Sequence, residues 1–148
     1  MGRVSTELGQ RVYFDTNIVI YAVEGFADYA DQIRALLKAM NTGEIVAITS
    51  ELTLAETLVK PLKDQNSTTQ QAYRRFLTPT AAFEIAPIRR DILESAAQWR
   101  ATSSLKLPDA IHLATSIREQ CTSLLTNDDA FKSLNLAQIK MLSDVSLV

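Results

Sequence analysis

The chain contains 148 residues, of which 47% are hydrophobic and 22% are charged, so it can form one globular domain and is too short for two of ordinary size. A formal net charge of −2, one cysteine and one histidine exclude a strongly basic surface, a disulfide framework, a multi-histidine metal site and chemistry by a histidine pair. No apolar run approaches the length of a membrane span and no signal-peptide pattern is present, so we expect a cytoplasmic protein without a membrane association.

Runs typical of strands alternate with helical patterns along the chain, without repeats or Pro/Gly-rich linkers. Helical crossovers between strands favour a mostly parallel sheet. We therefore predict a single α/β domain over residues 1–148, with a core of about 11–142 and the strand order 3-2-1-4-5. The predicted strands are 11–14, 44–48, 82–85, 123–125 and 139–142, and the predicted helices lie near 27–40, 50–62, 68–77, 89–103 and 108–120, with a helical turn at 18–22.

Acidic residues follow two strands that this order would place side by side. Asp15 comes directly after the first strand, and Asp128 and Asp129 follow the fourth. Open α/β sheets bind their ligands beyond the carboxyl ends of the strands. Each acid also has a structural interpretation, because Asp caps helices and forms turns. We favour Asp128 because it is nearer the strand end, and Asp129 remains an alternative.

Another acidic candidate lies on the helix that follows the second strand. Glu56 and Glu51 both border the apolar stripe of this helix. Glu51 has an ordinary explanation, because an acid in the first turn of a helix interacts favourably with the helix dipole. The pattern alone does not choose between the two. The predicted stripe consists of Leu52, Ala55, Val59 and Leu62.

The last candidate, Asp109, lies in the first turn of a helix whose start is marked by Pro108. It stands at the edge of a predicted buried stripe, and interaction with the helix dipole is again the alternative interpretation. His112 points to nearly the opposite side of this helix. We therefore interpret His112 as a peripheral residue and not as a metal ligand. The predicted stripe consists of Ala110, Leu113, Ala114, Ile117 and Cys121.

Four carboxylates gathered in one place repel one another, by roughly 4 kcal/mol per pair at an effective dielectric constant of about 20. Protonation or a bound cation relieves this repulsion, and an all-oxygen site is the kind that Mg²⁺ or Mn²⁺ prefers. A metal at this site would support hydrolysis of a phosphodiester without histidine. The predicted acids are Asp15, Glu56, Asp109 and Asp128.

Four segments of the chain resemble the motifs of the PIN-domain family, and in size the chain is most similar to the VapC-type toxin ribonucleases of toxin–antitoxin systems. Each motif is weak alone, but four in the family's order with compatible spacing are specific. The segments are 12–17 (VYFDTN), 51–56 (ELTLAE), 107–114 (LPDAIHLA) and 125–131 (LTNDDAF).

The resemblance implies a Rossmann-like, three-layer domain with helices on both faces of the sheet and Mg²⁺- or Mn²⁺-dependent cleavage of RNA. It also implies a small antitoxin protein as partner, whose tail covers the active groove, and a homodimer. Metal-binding and catalytic roles are carried over to Asp15, Glu56, Asp109 and Asp128, with Thr16, Asn17, Thr126 and Asp129 as supporting residues.

Two other functions are alternatives. A phosphatase of the haloacid-dehalogenase kind also has an Asp after its first strand, but its pattern requires a second Asp where this chain has Asn17. A non-catalytic PIN-like module would bind RNA or protein without turnover. The complete set of acids argues against this second alternative.

Overall fold

The fold is built on a five-stranded sheet in which every neighbouring pair of strands is parallel. A computed structural model describes residues 4–146 and gives the strand order β3-β2-β1-β4-β5, which confirms the predicted topology. The strands are β1 (Arg11–Phe14), β2 (Val46–Ser50), β3 (Phe83–Ala86), β4 (Ser123–Thr126) and β5 (Ile139–Met141). The α-helices are α1 (Val4–Leu8), α2 (Thr16–Glu24), α3 (Ala30–Asn41), α4 (Glu51–Lys63), α5 (Ser67–Phe76), α6 (Arg90–Thr102) and α7 (Leu107–Arg118).

The side chains of β1 alternate between two hydrophobic layers. Val12 and Phe14 pack with buried residues of α1, α2, α3 and α5, whereas Tyr13 packs with buried residues of α6 and α7. Successive residues of a strand point to opposite faces of the sheet. The helices therefore cover both faces, and a strand buried on both sides reads as a continuous apolar run.

Two helical segments were predicted incompletely or not at all. The turn predicted at 18–22 is part of the longer helix α2, and the short helix α1 was not predicted. Asp15 begins α2, because its side chain accepts a hydrogen bond from the backbone of Thr16. Gly25 ends α2 with a φ of 84°, a backbone conformation that glycine adopts at little cost. The described residues also include three short 3₁₀ helices, at Ala27–Tyr29, Asp129–Leu134 and Leu142–Asp144.

The apolar stripe predicted for α4 was wrong. The helix buries Thr53, Thr57 and Pro61, whereas Val59 and Leu62 are each 51% exposed. The threonines can be buried because the hydroxyl of Thr57 donates to the carbonyl of Thr53 at 2.8 Å and the hydroxyl of Thr53 bonds that of Thr49 at 2.7 Å. Internal hydrogen bonds thus remove the cost of burying these polar groups.

The stripe predicted for α7 was also incomplete. Every residue from 110 to 116 is buried, and Ile117, assigned to the stripe, is 44% exposed. The helix packs against α6 as well as against β2 and β4. A helix covered on several sides does not show one apolar face, which is why the single-stripe prediction failed.

The helices of this fold are short, and the longest of them contain 13 residues. Between residues 4 and 146, no helix has both the length and the apolar character that crossing a lipid bilayer requires.

Candidate active site

The polar residues that follow β1 and β4 meet at one end of the sheet. The two strands are parallel neighbours with Phe14 opposite Leu125, so the residues that follow them lie at the same level. The backbone N–H of Asp15 extends this pairing by donating to the carbonyl of Leu125 at 3.0 Å. The Asp15 carboxylate therefore lies beside the segment that contains Thr126 and Asp128.

Asp15 is a buried acid, with 3% of its surface exposed. Its Oδ1 accepts from the backbone N–H of Thr16 at 2.9 Å. Its Oδ2 accepts from the hydroxyl of Thr126 at 2.7 Å and from Nδ2 of Asn17 at 3.3 Å. Asp15 thus caps α2, as the structural interpretation proposed, and the same carboxylate is held from two further sides by neutral donors.

Glu56, and not Glu51, reaches this end of the sheet. Its Oε1 accepts from the hydroxyl of Thr16 and from Nε2 of His112, both at 2.7 Å. Burial alone would raise the pKa of Glu56, but the hydrogen bonds from His112 and Thr16 lower it below its ordinary value. Glu51 is exposed in the first turn of α4, where the helix dipole accounts for it.

Asp109 lies in the first turn of α7, as predicted. Its partial burial, followed by the negative charges of Asp128 and Asp15, raises the pKa of its carboxyl group from 3.8 to about 6. A like charge has this effect only when it lies close to the titrating group. The shift therefore reports that Asp109 shares its environment with the acids that follow β1 and β4.

Asp128 and Asp129, the two consecutive acids after β4, have different surroundings. The backbone N–H of Asp128 donates to the hydroxyl of Thr126 at 3.0 Å, and Oδ1 of Asp128 caps the following 3₁₀ helix by accepting from Ala130 at 2.9 Å. The side chain of Asp129 is 82% exposed and pairs with Lys132 at 3.1 Å. The geometry favours Asp128 as the member that faces Asp109 and Asp15.

This end of the sheet carries a surplus of negative charge. Among residues 4–146, neither Lys nor Arg forms an ion pair with Asp15, Glu56, Asp109 or Asp128. Carboxylate oxygens with uncompensated charge suit a hard divalent cation such as Mg²⁺ or Mn²⁺. Within the same residues, no three Asp, Glu, His or Cys side chains converge into a complete set of ligands. The donor chemistry fits the cation, although these side chains do not form a closed set of ligands in this structure.

The expectation that His112 is peripheral was wrong. His112 is 1% exposed, and its ring contacts the hydroxyl of Tyr13 through Nδ1 at 2.6 Å. Its Nε2 lies 2.7 Å from Glu56, 3.0 Å from the hydroxyl of Thr16 and 3.8 Å from Oδ1 of Asp15. Burial lowers the pKa of His112, but the hydrogen bond with Glu56 and the charge of Asp15 raise it above its ordinary value of 6.5.

One sequence signal for His112 was available. Residues three positions apart on a helix are neighbours on its surface, so His112 had to lie near Asp109 on α7. The prediction missed this signal because it assumed that only one face of α7 is buried. The role of Tyr13 had no such signal, since an aromatic residue in a buried strand is ordinarily core.

Comparisons with known proteins identify the family and the fold of this chain. Residues 12–136 match the PIN domain family, whereas no curated protein sequence matches the chain. A solved toxin–antitoxin complex from Klebsiella pneumoniae has 28% identity and a TM-score of 0.67 over 90% of this chain and 99% of the other.

Two more distant structures share the fold. VapBC2 from Rickettsia felis, solved with a DNA fragment from its promoter, has 19% identity and a TM-score of 0.69 over 89% of this chain and 98% of the other. VapC20 from Mycobacterium tuberculosis, a toxin that cleaves the sarcin–ricin loop, has 15% identity and a TM-score of 0.65 over 87% and 98%. Because the family match over residues 12–136 spans most of the sequence, the chain belongs to the PIN-domain family.

Proposed function

We propose that this protein is a Mg²⁺- or Mn²⁺-dependent endoribonuclease and the toxin of a VapBC-type toxin–antitoxin pair. One observation carries the proposal. In a chain of the PIN-domain family, acids from four separate segments face one end of the sheet without a Lys or Arg partner in the described part of the chain. The fold shared with VapC20, which cleaves the sarcin–ricin loop, supports RNA as the substrate.

Asp15, Glu56, Asp109 and Asp128 would hold the cation. When bound, such a cation polarises the phosphodiester and makes a water molecule more acidic. The protein prepares its own groups beforehand, because Thr126 and Asn17 fix Oδ2 of Asp15 by hydrogen bonds. A carboxylate held in one orientation needs no reorganisation when the cation arrives.

Asp109 completes the negative charge of the site near neutral pH. Its pKa of about 6 lies below 7, so the carboxyl group is mostly ionised there. A cation would relieve the repulsion among the four acids and lower the pKa of Asp109.

A small antitoxin and a second copy of the chain belong to the same proposal. The Klebsiella pneumoniae relative was solved as a toxin–antitoxin complex. Apolar side chains of this chain are also available to a protein partner, since Val59, Leu62, Leu93 and Ile117 are each 44% to 51% exposed. The mass in solution, measured by light scattering, tests the dimer, and a monomer would contradict it.

The function is tested by RNA cleavage with and without the cation. Wild type, Asp15→Asn and Asp109→Asn are incubated with total RNA in Mg²⁺, in Mn²⁺ and in a chelator. We expect cleavage by the wild type with metal, and rates about 1,000-fold lower in either variant, the order of loss seen when a group that stabilises developing charge is removed. Asp64→Asn is the matched control, because Asp64 is an exposed acid that pairs with Lys60 beyond the end of α4.

The outcomes separate the alternatives. Equal cleavage by all proteins, or by the wild type in chelator, would contradict a metal-dependent nuclease. A folded wild type that binds RNA and cleaves none would favour the non-catalytic binding module. A small protein encoded beside this chain should abolish cleavage in the same assay if it is the antitoxin.

A further inference from the structure

A chain of hydrogen bonds joins the buried core of the protein to the partly exposed carboxylate of Glu56. It begins at Tyr13, which is 0% exposed in the middle of β1, and its hydroxyl lies 2.6 Å from Nδ1 of His112. It continues from Nε2 of His112 to Oε1 of Glu56 over 2.7 Å. Three elements, β1, α7 and α4, thus meet through one histidine ring.

The Glu56 carboxylate determines which groups donate and which accept in these hydrogen bonds. An ionised carboxylate only accepts hydrogen bonds, so Nε2 of His112 must carry a proton and donate to Glu56. In the neutral ring Nδ1 is then the acceptor, and the hydroxyl of Tyr13 donates to it. A protonated ring also donates to Glu56 through Nε2. In both forms His112 orients the same carboxylate oxygen.

Glu56 needs such support more than the other acids do. Its side chain is 32% exposed and has more rotatable bonds than Asp, so an unsupported carboxylate would sample several rotamers. His112 and Thr16 both donate to Oε1. Among residues 4–146, Oε2 receives no hydrogen bond and is available to a cation.

We propose that Tyr13 and His112 are positioning residues that hold the Glu56 carboxylate in the orientation in which it receives the divalent cation. Neither residue is assigned a contact with the cation or with RNA. The inference rests on the proposed metal-dependent function and adds to it two residues outside the acidic set. The alternative is that His112 is a buried structural histidine whose ring nitrogens form hydrogen bonds with Tyr13 and Glu56 without affecting metal binding.

The test measures Mn²⁺ binding, which does not depend on turnover. The EPR signal of free Mn²⁺ is titrated against wild type, His112→Leu, His112→Gln and Tyr13→Phe. We expect the dissociation constant to rise about tenfold in His112→Leu, the order of effect found for groups that orient metal ligands. His112→Gln should recover part of the loss, because its amide can donate to Glu56. Tyr13→Phe should weaken binding by about threefold while its ring stays in the core.

The matched control is Tyr73→Phe. Tyr73 is also 0% exposed and its hydroxyl also bonds a carboxylate, that of Glu24. It lies in the other hydrophobic layer of the protein, on the opposite face of the sheet from Tyr13. Both Phe variants lose a buried hydroxyl, so both should lose stability, but only Tyr13→Phe should lose Mn²⁺ affinity. RNA cleavage should show a lower kcat in Tyr13→Phe with KM within about twofold of the wild type.

The outcomes distinguish this inference from the proposed function. If the wild type binds Mn²⁺ and cleaves RNA while Tyr13→Phe and His112→Leu bind Mn²⁺ equally well, the positioning role is wrong and the nuclease stands. If the wild type itself binds no Mn²⁺, both are wrong. Because Tyr13→Phe keeps the aromatic ring, the test remains decisive even if His112→Leu does not fold.

Discussion

The charged groups at the two ends of β1 have opposite surroundings: they are paired at the amino end and lie near like charges at the carboxyl end. At the amino end, Arg11 donates to both carboxylate oxygens of Glu84, each at 3.0 Å, and to the carbonyl oxygen of Glu119 at 3.0 and 3.2 Å. The hydrogen bond with Arg11 lowers the pKa of Glu84 below its ordinary value. At the carboxyl end, Asp15 faces other acids, and the pKa of Asp109 is raised to about 6.

The difference separates charge that is paired within the fold from charge that is left without a cationic Lys or Arg partner among residues 4–146. A paired ion leaves a protein with little electrostatic stress, whereas a group of like charges lowers its stability until a counterion binds. Only the carboxyl end of β1 shows this second condition. The comparison therefore supports the carboxyl end of β1 as the candidate functional end on electrostatic grounds, independently of the family match.

Among the substitutions that test this comparison, the largest effect is expected at the acids that the helical and turn patterns left in competition. Glu56→Gln and Asp128→Asn should each lower kcat/KM for RNA cleavage by about 100-fold, which is roughly 2.7 kcal/mol in the transition state. Glu51→Gln and Asp129→Asn are the matched controls, since each removes an exposed carboxylate of the same type. Rates for both controls should stay within about twofold of the wild type. A loss in Asp129→Asn equal to that in Asp128→Asn would overturn the assignment made from geometry.

A smaller effect is expected at the opposite end of β1. Arg11→Met should lower the free energy of unfolding by about 1 to 2 kcal/mol, because it removes a bidentate ion pair and the donors to the Glu119 carbonyl. Urea denaturation measures this loss, and Mn²⁺ affinity should not change. Arg34→Met serves as the control, since Arg34 pairs with Asp31 between side chains that are 73% and 75% exposed. If Arg11→Met abolished metal binding instead, the two ends of β1 would not be independent.

The smallest expected effect is a gain in stability, in the variant Asp109→Asn. The pKa of Asp109 is about 6 in the folded chain and 3.8 without the fold, so the folded state holds this proton more tightly. The bound proton therefore stabilises the folded chain. This contribution is complete below the pKa of the unfolded chain, 3.8, and is lost as the pH rises through the folded pKa of about 6. In chelator near neutral pH, Asp109→Asn should therefore be more stable than the wild type by about 1 kcal/mol, after allowance for solvent screening.

Thermal denaturation measures this gain, which should shrink at about pH 4, where the wild-type carboxyl group is largely protonated. Added Mn²⁺ should reverse the order, because it stabilises the wild type by binding and the variant lacks one ligand. A metal-free Asp109→Asn that is less stable than the wild type near neutral pH would show that the carboxylate is not under repulsion.

Much of the fold was predictable because it follows from local patterns. The strand-like runs predicted at 11–14 and 123–125 lie within β1 and β4, since strands buried on both faces carry mostly apolar residues. The faces of α4 and α7 were not predictable from a helical wheel. Thr53 and Thr57 are buried by hydrogen bonds that the wheel does not consider, and α7 is covered on more than one side.

The candidate site shows the same division. Asp15 and Asp128 could be placed together because both follow strands of a parallel sheet. The helical pattern did not separate Glu56 from Glu51; the family resemblance favoured Glu56, and its long-range contact with Thr16 supports that choice. The contact of His112 with Tyr13 spans 99 positions of the chain, and no local sequence pattern predicts it. Sequence patterns thus located the acids, while the groups that hold them in place required the tertiary structure.

The parallel pairing of β1 with β4 also has a consequence for the time at which the site forms. Asp15 is the first of the four acids to be synthesised, and the hydroxyl that holds its Oδ2 belongs to Thr126, 111 residues later. Contacts between such distant positions form late and slowly, because the intervening chain must first be made and closed. A nascent chain therefore carries no complete acidic site until β4 has been synthesised and paired. For the RNA cleavage proposed above, the order of synthesis delays activity until the segment that contains Thr126 and Asp128 has been made and folded.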